Sequence, residues 1–197
     1  MAERAPHVPQ VACFDTTFHR TMPRVARLLA IPRRFEASGV RRYGFHGLSY
    51  AFLMEELTRI AGPEAAAGRV VLAHLGAGAS LAAVAGGRPV DTTMGFTPAS
   101  GVMMATRSGD LDPGVLVHLM RTERMGADEI DDLVNRRSGL LGVSDSSADM
   151  AELLGREGND PRGGRGVPVL LPGEEGRRCP GSRARRAGHA RVLRGHR

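Results

Sequence analysis

The spacing of apolar positions changes along this chain, and glycine or proline marks most of the changes. Leu48, Phe52, Leu53, Leu57 and Ile60 recur at helical intervals, which predicts a helix over 48–60 burying those side chains and stopped by Gly62-Pro63. Residues 70–75 form a nearly continuous apolar run and read as a buried strand. The Gly76-Ala77-Gly78 turn follows, then a returning strand over 79–85, and Gly86-Gly87 reverses the chain again into 88–93. Upstream, the short apolar run 11–14 reads as a strand that delivers Asp15 at its end. Downstream, Asp112-Pro113 is a helix start, an N-cap acceptor with proline at the first helical position, and Val115, Leu116, Leu119 and Met120 are expected to face the core. A second helix over 127–137 would bury Ile130, Leu133 and Val134, with Gly139 beyond its end. Ser146-Ser147-Ala148-Asp149 has capping-box spacing, with Asp as its last residue, ahead of a short helix over 150–154. Strands and helices mixed in this order predict an α/β fold.

Three regimes emerge: a polar leader over 1–10, an ordered α/β part over 11–157, and a tail over 158–197 rich in Gly, Arg and Pro that reads as unfolded. Charge follows the same division. Residues 1–157 hold 17 Arg against 18 acids, whereas 158–197 hold 10 Arg against 3 acids. The basic isoelectric point therefore belongs to the tail, and the larger part has the near-neutral balance of a soluble enzyme. All 27 basic residues are arginine, a mark of G+C-rich coding and not of nucleic-acid recognition. Cys13 and Cys179 are far apart and have no metal-ligand spacing, which argues against a disulfide framework or a zinc site. No apolar run approaches the ~18–20 residues that cross a bilayer, and 1–10 lacks the apolar stretch of a signal peptide. No membrane role is expected, and the cytoplasm is the default location.

Four stretches can carry chemistry, and each has a structural reading beside the chemical one. His74-Leu75-Gly76-Ala77-Gly78 turns between two strands, where glycines let backbone N–H groups approach a phosphate; equally, the turn can need glycine for geometry alone. In RRYGFHGLSY, His46 lies in a loop before a helix, placed either to donate to a phosphoryl oxygen or to satisfy a local carbonyl. In MGFTPASGVMMATRSGDLD, Arg107 can aim a planar guanidinium at a carboxylate or phosphate, or be a solvated surface arginine, and Phe96, Pro98 and Met103 can line a small apolar pocket. Asp15, in FDTTFH, is either a water-mediated holder of Mg²⁺ or a turn or cap aspartate.

Taken together and in order, FDTTFHRTMP, RRYGFHGLSY, HLGAGASL, DTTMGFTP, TRSGDLDP and SGLLGVS resemble the acetate kinase family of short-chain acyl kinases, from Val11 to about Arg162. The resemblance implies the sugar kinase–Hsp70–actin (ribonuclease H-like) superfold, here with an incomplete second domain. It implies transfer of the ATP γ-phosphoryl to acetate with Mg²⁺, or to propionate or butyrate in a homologue. By motif it makes Asp15, His46 and Arg107 catalytic, and His74, Gly76 and Gly78 phosphate- and ATP-binding. Phe45 and Pro98 would flank the acyl pocket. Mg²⁺ would lie near Asp15 without a direct protein ligand. A nucleotide and a short-chain carboxylate are the implied partners, without nucleic acid, in a family that typically forms homodimers.

Tyr50 stands where many members have a second histidine, and Ala77 where asparagine is frequent. The family's Ser/Asn-rich phosphate loop has no counterpart before Val11, and agreement ends after Asp160-Pro161-Arg162. The expectation is a fragment lacking the first domain and the C-terminal part, with a frame change near 162–166, that does not turn over alone. A family-like continuation in another reading frame of the gene is the test of the frame change. Two other readings stand beside it: a small kinase completed by a separately encoded partner, and a basic-tailed binding module without catalysis.

Overall fold

The register of one hairpin sets the frame on which everything else is hung. In the computed structural model, which describes residues 7–156 and the backbone of 191–194, strands β1 (Arg69–Leu75) and β2 (Ala79–Ala85) pair antiparallel from Leu75 opposite Ala79 to Arg69 opposite Ala85. Strand β3 (Arg88–Thr92) follows β2, with an irregularity in register between Ala83 and Val84. A four-residue strand, which we number β4 (Arg191–Arg194), pairs antiparallel with the other edge of β1, giving the order β3-β2-β1-β4. No strand was expected within 158–197; the rest of that tail, and residues 1–6, lie outside the described residues.

Helix α3 (Gly47–Ala61) and the short α4 (Pro63–Ala67) cover one face of this sheet. Tyr50, Leu53 and Leu57 of α3 and Ala66 of α4 pack on Val70 and Leu72 of β1 and on Ala82 and Val84 of β2. Cross-strand pairs on that face are Val70 with Val84 and Leu72 with Ala82, and the next pair along is His74 with Ser80. The apolar stripe thus turns polar just before the Gly76–Gly78 turn, under the N-terminus of α3. A second cluster, Ala79, Met94, Val102 and Met104 with Phe45 and Leu81 against it, lies under the long loop after β3.

Two very short helices, α1 (Arg24–Arg27) and α2 (Arg34–Ala37), precede α3, and a 3₁₀ turn over Thr17–Thr21 precedes them. After the loop come α5 (Pro113–Thr122), α6 (Ala127–Arg136), α7 (Gly139–Ser144) and α8 (Met150–Arg156). Among the described residues no helix is long and apolar enough to cross a membrane.

Four expectations are corrected. Residues 11–14 are not a strand: Val11 and Phe14 are exposed, and no partner strand is available among the described residues to close a ladder. Helix α3 is rotated from the expected face, so that Leu48, Phe52 and Ile60 are exposed while Tyr50 is completely buried. Tyr50 displaces them because its ring packs between Phe18, His19 and the sheet while its hydroxyl finds a partner there. Strand β1 is covered fully on one face only, and Val71 and Leu75 remain exposed. Helix α5 begins as expected, with the Asp112 carboxylate accepting from the Gly114 N–H at 2.8 Å, yet none of its residues is buried; Val115 and Met120 are exposed.

Candidate functional site

Asp15 lies in a turn, and its carboxylate reaches across the start of α3. Oδ2 accepts from the His46 N–H at 2.6 Å, and Oδ1 is 3.5 Å from the Leu48 nitrogen. Its own carbonyl accepts from the Gly47 N–H at 2.9 Å. A side chain at residue 47 would run into that carbonyl and into Phe18, so glycine is what permits the two segments to touch. The cap reading of Asp15 is therefore realised, and a negative charge at a helix N-terminus is favourable there. It leaves the carboxylate half-buried with lone pairs to spare.

His46, the N-cap of α3, has a left-handed backbone (φ 59°, ψ 24°), a conformation that non-glycine residues seldom adopt. That backbone places its ring over the polar end of the sheet. Its Nδ1 lies 2.8 Å from Ser80 Oγ, and Ser80 Oγ in turn pairs with the Tyr50 hydroxyl. The ring stacks on His74 with centroids 3.9 Å apart and planes 18° from parallel. His74 is steadied from the far side by Ser49, 3.0 Å from Nδ1 to Oγ. Burial lowers the pKa of His46, with His74, Arg107 and His19 acting in the same direction and Asp15 opposing. Burial also pushes the Tyr50 phenol up to about 12.

Arg107 enters from the loop after β3. Its Nη1 donates to the Pro98 carbonyl at 3.0 Å and touches Met104 Sδ at 3.6 Å. The loop is pinned to the hairpin turn by the Ala105 N–H on the Ala77 carbonyl, 3.1 Å. Behind it, the head of α7 donates three amides into the same loop: Ser138 to Thr106, Leu140 to Met104 and Leu141 to Ala105. Gly139 makes this possible. It has φ 64°, and a side chain there would collide with the Met104 and Arg107 carbonyls. The SGLLGVS segment is thus the bracket that holds Arg107.

These parts converge on one point. A methyl group built on Gly78 would sit 3.3 Å from His46 Nε2 and 3.4 Å from Arg107 Nη1. The missing side chain opens a small space with an imidazole and a guanidinium on its walls, the donor types that suit a phosphate oxygen. Gly76 closes the turn through its N–H to the Gly78 carbonyl, 3.0 Å. Phe45, next to His46, packs against the second apolar cluster, and Pro98 meets the site through its carbonyl. The eight residues to which the family resemblance gives a role lie around this point, whereas Phe96, expected beside Pro98 in an apolar pocket, lines a separate cleft. An open cleft of about 680 Å³, lined by Leu81, Asp91, Thr93, Phe96, Thr97 and Gly101 among others, contains none of them.

Sequence reasoning missed Ser80, Ser49 and His19. A three-residue turn after His74 pairs it with residue 80, so a lone serine there among alanines was the available signal. His19 is buried, with Nε2 3.0 Å from the Phe45 carbonyl and its pKa lowered, chiefly by burial.

Among the described residues no three His, Cys, Asp or Glu side chains group as a metal site. A single carboxylate, Asp15, on the backbone of His46 suits Mg²⁺ of the kind held mainly by water and substrate phosphates. The residues present fit such an ion, not a protein-built cage.

Fold and site together define an α/β protein, mixed helices on a small antiparallel sheet in keeping with the sugar kinase–Hsp70–actin superfold, with cationic and imidazole donors facing a glycine turn. The model of the Acetokinase family matches residues 1–165, and the chain belongs to that family. It is 50% identical over 171 residues to the acetate kinase of Rhodopseudomonas palustris, covering 87% of this chain and 42% of that protein. To the acetate kinase of Methylocella silvestris it is 58% identical over 151 residues, covering 77% and 37%. Among solved structures, Porphyromonas gingivalis acetate kinase aligns with TM-score 0.74 at 43% identity, over 79% of this chain and 39% of that one. A propionate kinase from Francisella tularensis aligns with TM-score 0.76 at 37% identity, over 83% and 42%. The chain spans about two fifths of the length of these relatives.

Proposed function

We propose that this chain carries the phosphoryl-gripping part of a short-chain acyl kinase, with acetate and ATP as substrates. The observation that supports it best is the convergence of His46 Nε2 and Arg107 Nη1 on the space beside Gly78. In the proposed reaction a carboxylate oxygen of acetate bonds to the γ-phosphorus as the bond to the ADP oxygen breaks, giving acetyl phosphate and ADP. Such transfers ask a protein mainly for alignment and for positive charge around the equatorial oxygens.

Arg107 Nη1, the nitrogen nearest the Gly78 space, is held by the Pro98 carbonyl and meets Met104 Sδ, so the N–H groups on Nε and Nη2 are the ones that would serve the transferring group. His46 donates a hydrogen bond, and His74 backs it as a stacked neighbour. Asp15 orients the water around Mg²⁺, which when bound would neutralise charge on the nucleotide phosphates. Phe45 and Pro98 would stand beside the acyl methyl. In this reading residues 11–157 are a partial domain of the two-domain superfold, 1–10 a leader and 158–197 a tail whose residues 191–194 add a strand to β1.

Calorimetric titration of inorganic phosphate and of MgADP into the full chain tests the reading. Binding that is lost in Arg107→Ala supports it, and no binding of either probe overturns it. Trapping acetyl phosphate with hydroxylamine in the same preparation tests turnover. None is expected from the chain alone, and acetyl hydroxamate formed without a partner would refute that part.

A further inference from the structure

We propose that Ser80, whose oxygen is capped by the Tyr50 phenol, is a positioning residue that fixes the tautomer of His46, holding its neutral imidazole with the proton on Nε2. The inference rests on the reading of His46 as the group that donates to the phosphoryl oxygen, and it follows from counting protons in a closed space.

Tyr50 and Ser80 are both fully buried. Among the described residues the Tyr50 hydroxyl has one hydrogen-bond partner, Ser80 Oγ, and Ser80 Oγ has two, Tyr50 and His46 Nδ1. Three arrangements of the protons are conceivable. If His46 Nδ1–H donates to Ser80 and Ser80 donates to Tyr50, the phenol proton is buried without an acceptor. If His46 and Tyr50 both donate to Ser80, the serine proton is stranded instead. Only one order leaves every donor paired: Tyr50 O–H to Ser80 Oγ, and Ser80 O–H to His46 Nδ1. A stranded buried donor is unfavourable enough to make this order dominant, by roughly fivefold to a hundredfold.

With Nδ1 accepting, the neutral ring carries its hydrogen on Nε2, the nitrogen beside the Gly78 space. His46 then offers a donor to an anionic oxygen without needing a second proton. The opposite tautomer would aim a lone pair at the same oxygen and repel it. The Tyr50 phenol suits the first place in this chain because its one proton has Ser80 Oγ as its partner among the described residues, which agrees with a relay running from Tyr50 toward His46. A histidine in its place, itself tautomeric, would not impose that direction.

Nitrogen-15 NMR of the uniformly labelled full chain, at a pH where His46 is neutral, reads the tautomer directly through two-bond couplings to the ring protons. The expected spectrum shows a pyridine-like Nδ1 and a pyrrole-like Nε2 for His46. A pyrrole-like Nδ1 in the native chain overturns the proposal with no variant needed. Ser80→Ala removes the hydroxyl proton that Nδ1 accepts, so the two tautomers are expected to mix and phosphate affinity to fall about twofold, since about half of the rings then present the wrong nitrogen. A Ser80→Ala spectrum identical to that of the native chain would also overturn it. The spectrum requires neither nucleotide nor turnover. Absence of phosphate binding beside an Nε2–H spectrum therefore sinks the kinase reading while the tautomer assignment holds.

Discussion

His46 and His74 stack with their ring centroids 3.9 Å apart, bringing two imidazoles from different elements, the N-cap of α3 and strand β1, into parallel contact. Two cationic rings in that geometry would repel, and the neighbouring His74 is one of the causes, after burial, that lower the pKa of His46.

A pH dependence follows, with a definite sign. His46 and His19 both have pKa values lowered from 6.5, each chiefly by burial. The unfolded chain therefore binds protons first as pH falls, and the stability tied to these groups is intact above 6.5 and lost as pH drops through it toward the folded values. Tm is expected to be flat above about pH 7 and to fall below about 6.5. Glu36 and Glu56, held low by Arg24 and Arg59, lose their contribution only at more acidic pH. Thermal melts across the range check this; a Tm that rises on mild acidification would contradict it.

Gly78→Ala separates binding from folding. Gly78 is not at positive φ, so alanine fits its backbone, and with the methyl close against His46 and Arg107 stability is expected to change by no more than about 1 kcal/mol. The added methyl occupies the space between His46 and Arg107, and phosphate binding should be lost. Melting and phosphate titration of the same sample decide it.

Replacing Arg107 by alanine removes a charged hydrogen-bond donor from the site. At about 1.5–3 kcal/mol for such a bond, phosphate affinity should fall by roughly tenfold or more. Arg107→Lys should restore little, because one ammonium cannot serve the Pro98 carbonyl and an anion in the same planar fashion. Calorimetry on the three proteins tests both statements.

Gly139→Ala strikes at the bracket behind Arg107. It forces a side chain onto a left-handed backbone and against two carbonyls, and a loss of about 2–4 kcal/mol is expected. Urea unfolding measures it, and a change within 0.5 kcal/mol, roughly the scatter of neutral surface substitutions, would show that the loop tolerates displacement.

Asp15 has two separable duties. Asp15→Ala should cost about 0.5–2 kcal/mol by uncapping α3. Asp15→Asn keeps an acceptor for the His46 amide and most of that stability, yet should abolish the magnesium dependence of nucleotide binding. ADP titrations with and without Mg²⁺ distinguish the two.

Much of the frame was legible because it is local. The hairpin and α3 appeared with boundaries within a residue or two, since period and glycine punctuation act over short distances. What was not legible depends on partners remote in sequence. Tyr50 turns inward because Ser80 awaits it 30 residues away, and apolar periodicity alone favoured Leu48 and Phe52. Residues 11–14 have strand composition but pair with no strand among the described residues. Helix α7 forms where Gly139 meets Met104 and Arg107, a collision that no local pattern announces. The site residues were identifiable as a set through their order along the chain. Their geometry was not, and Asp15 reached its place by capping a helix 31 residues further on.

The three-residue turn between β1 and β2 also constrains how this protein can change over generations. Side chains alternate faces along a strand, so one codon gained or lost in either strand between Leu72 and Ala82, with the turn length kept, would shift the pairing of His74 with Ser80. Whichever of the two moved would point away from α3, and the apolar stripe beneath would stay in place. A change of residue within the turn can leave that pairing intact, whereas a change of strand length cannot.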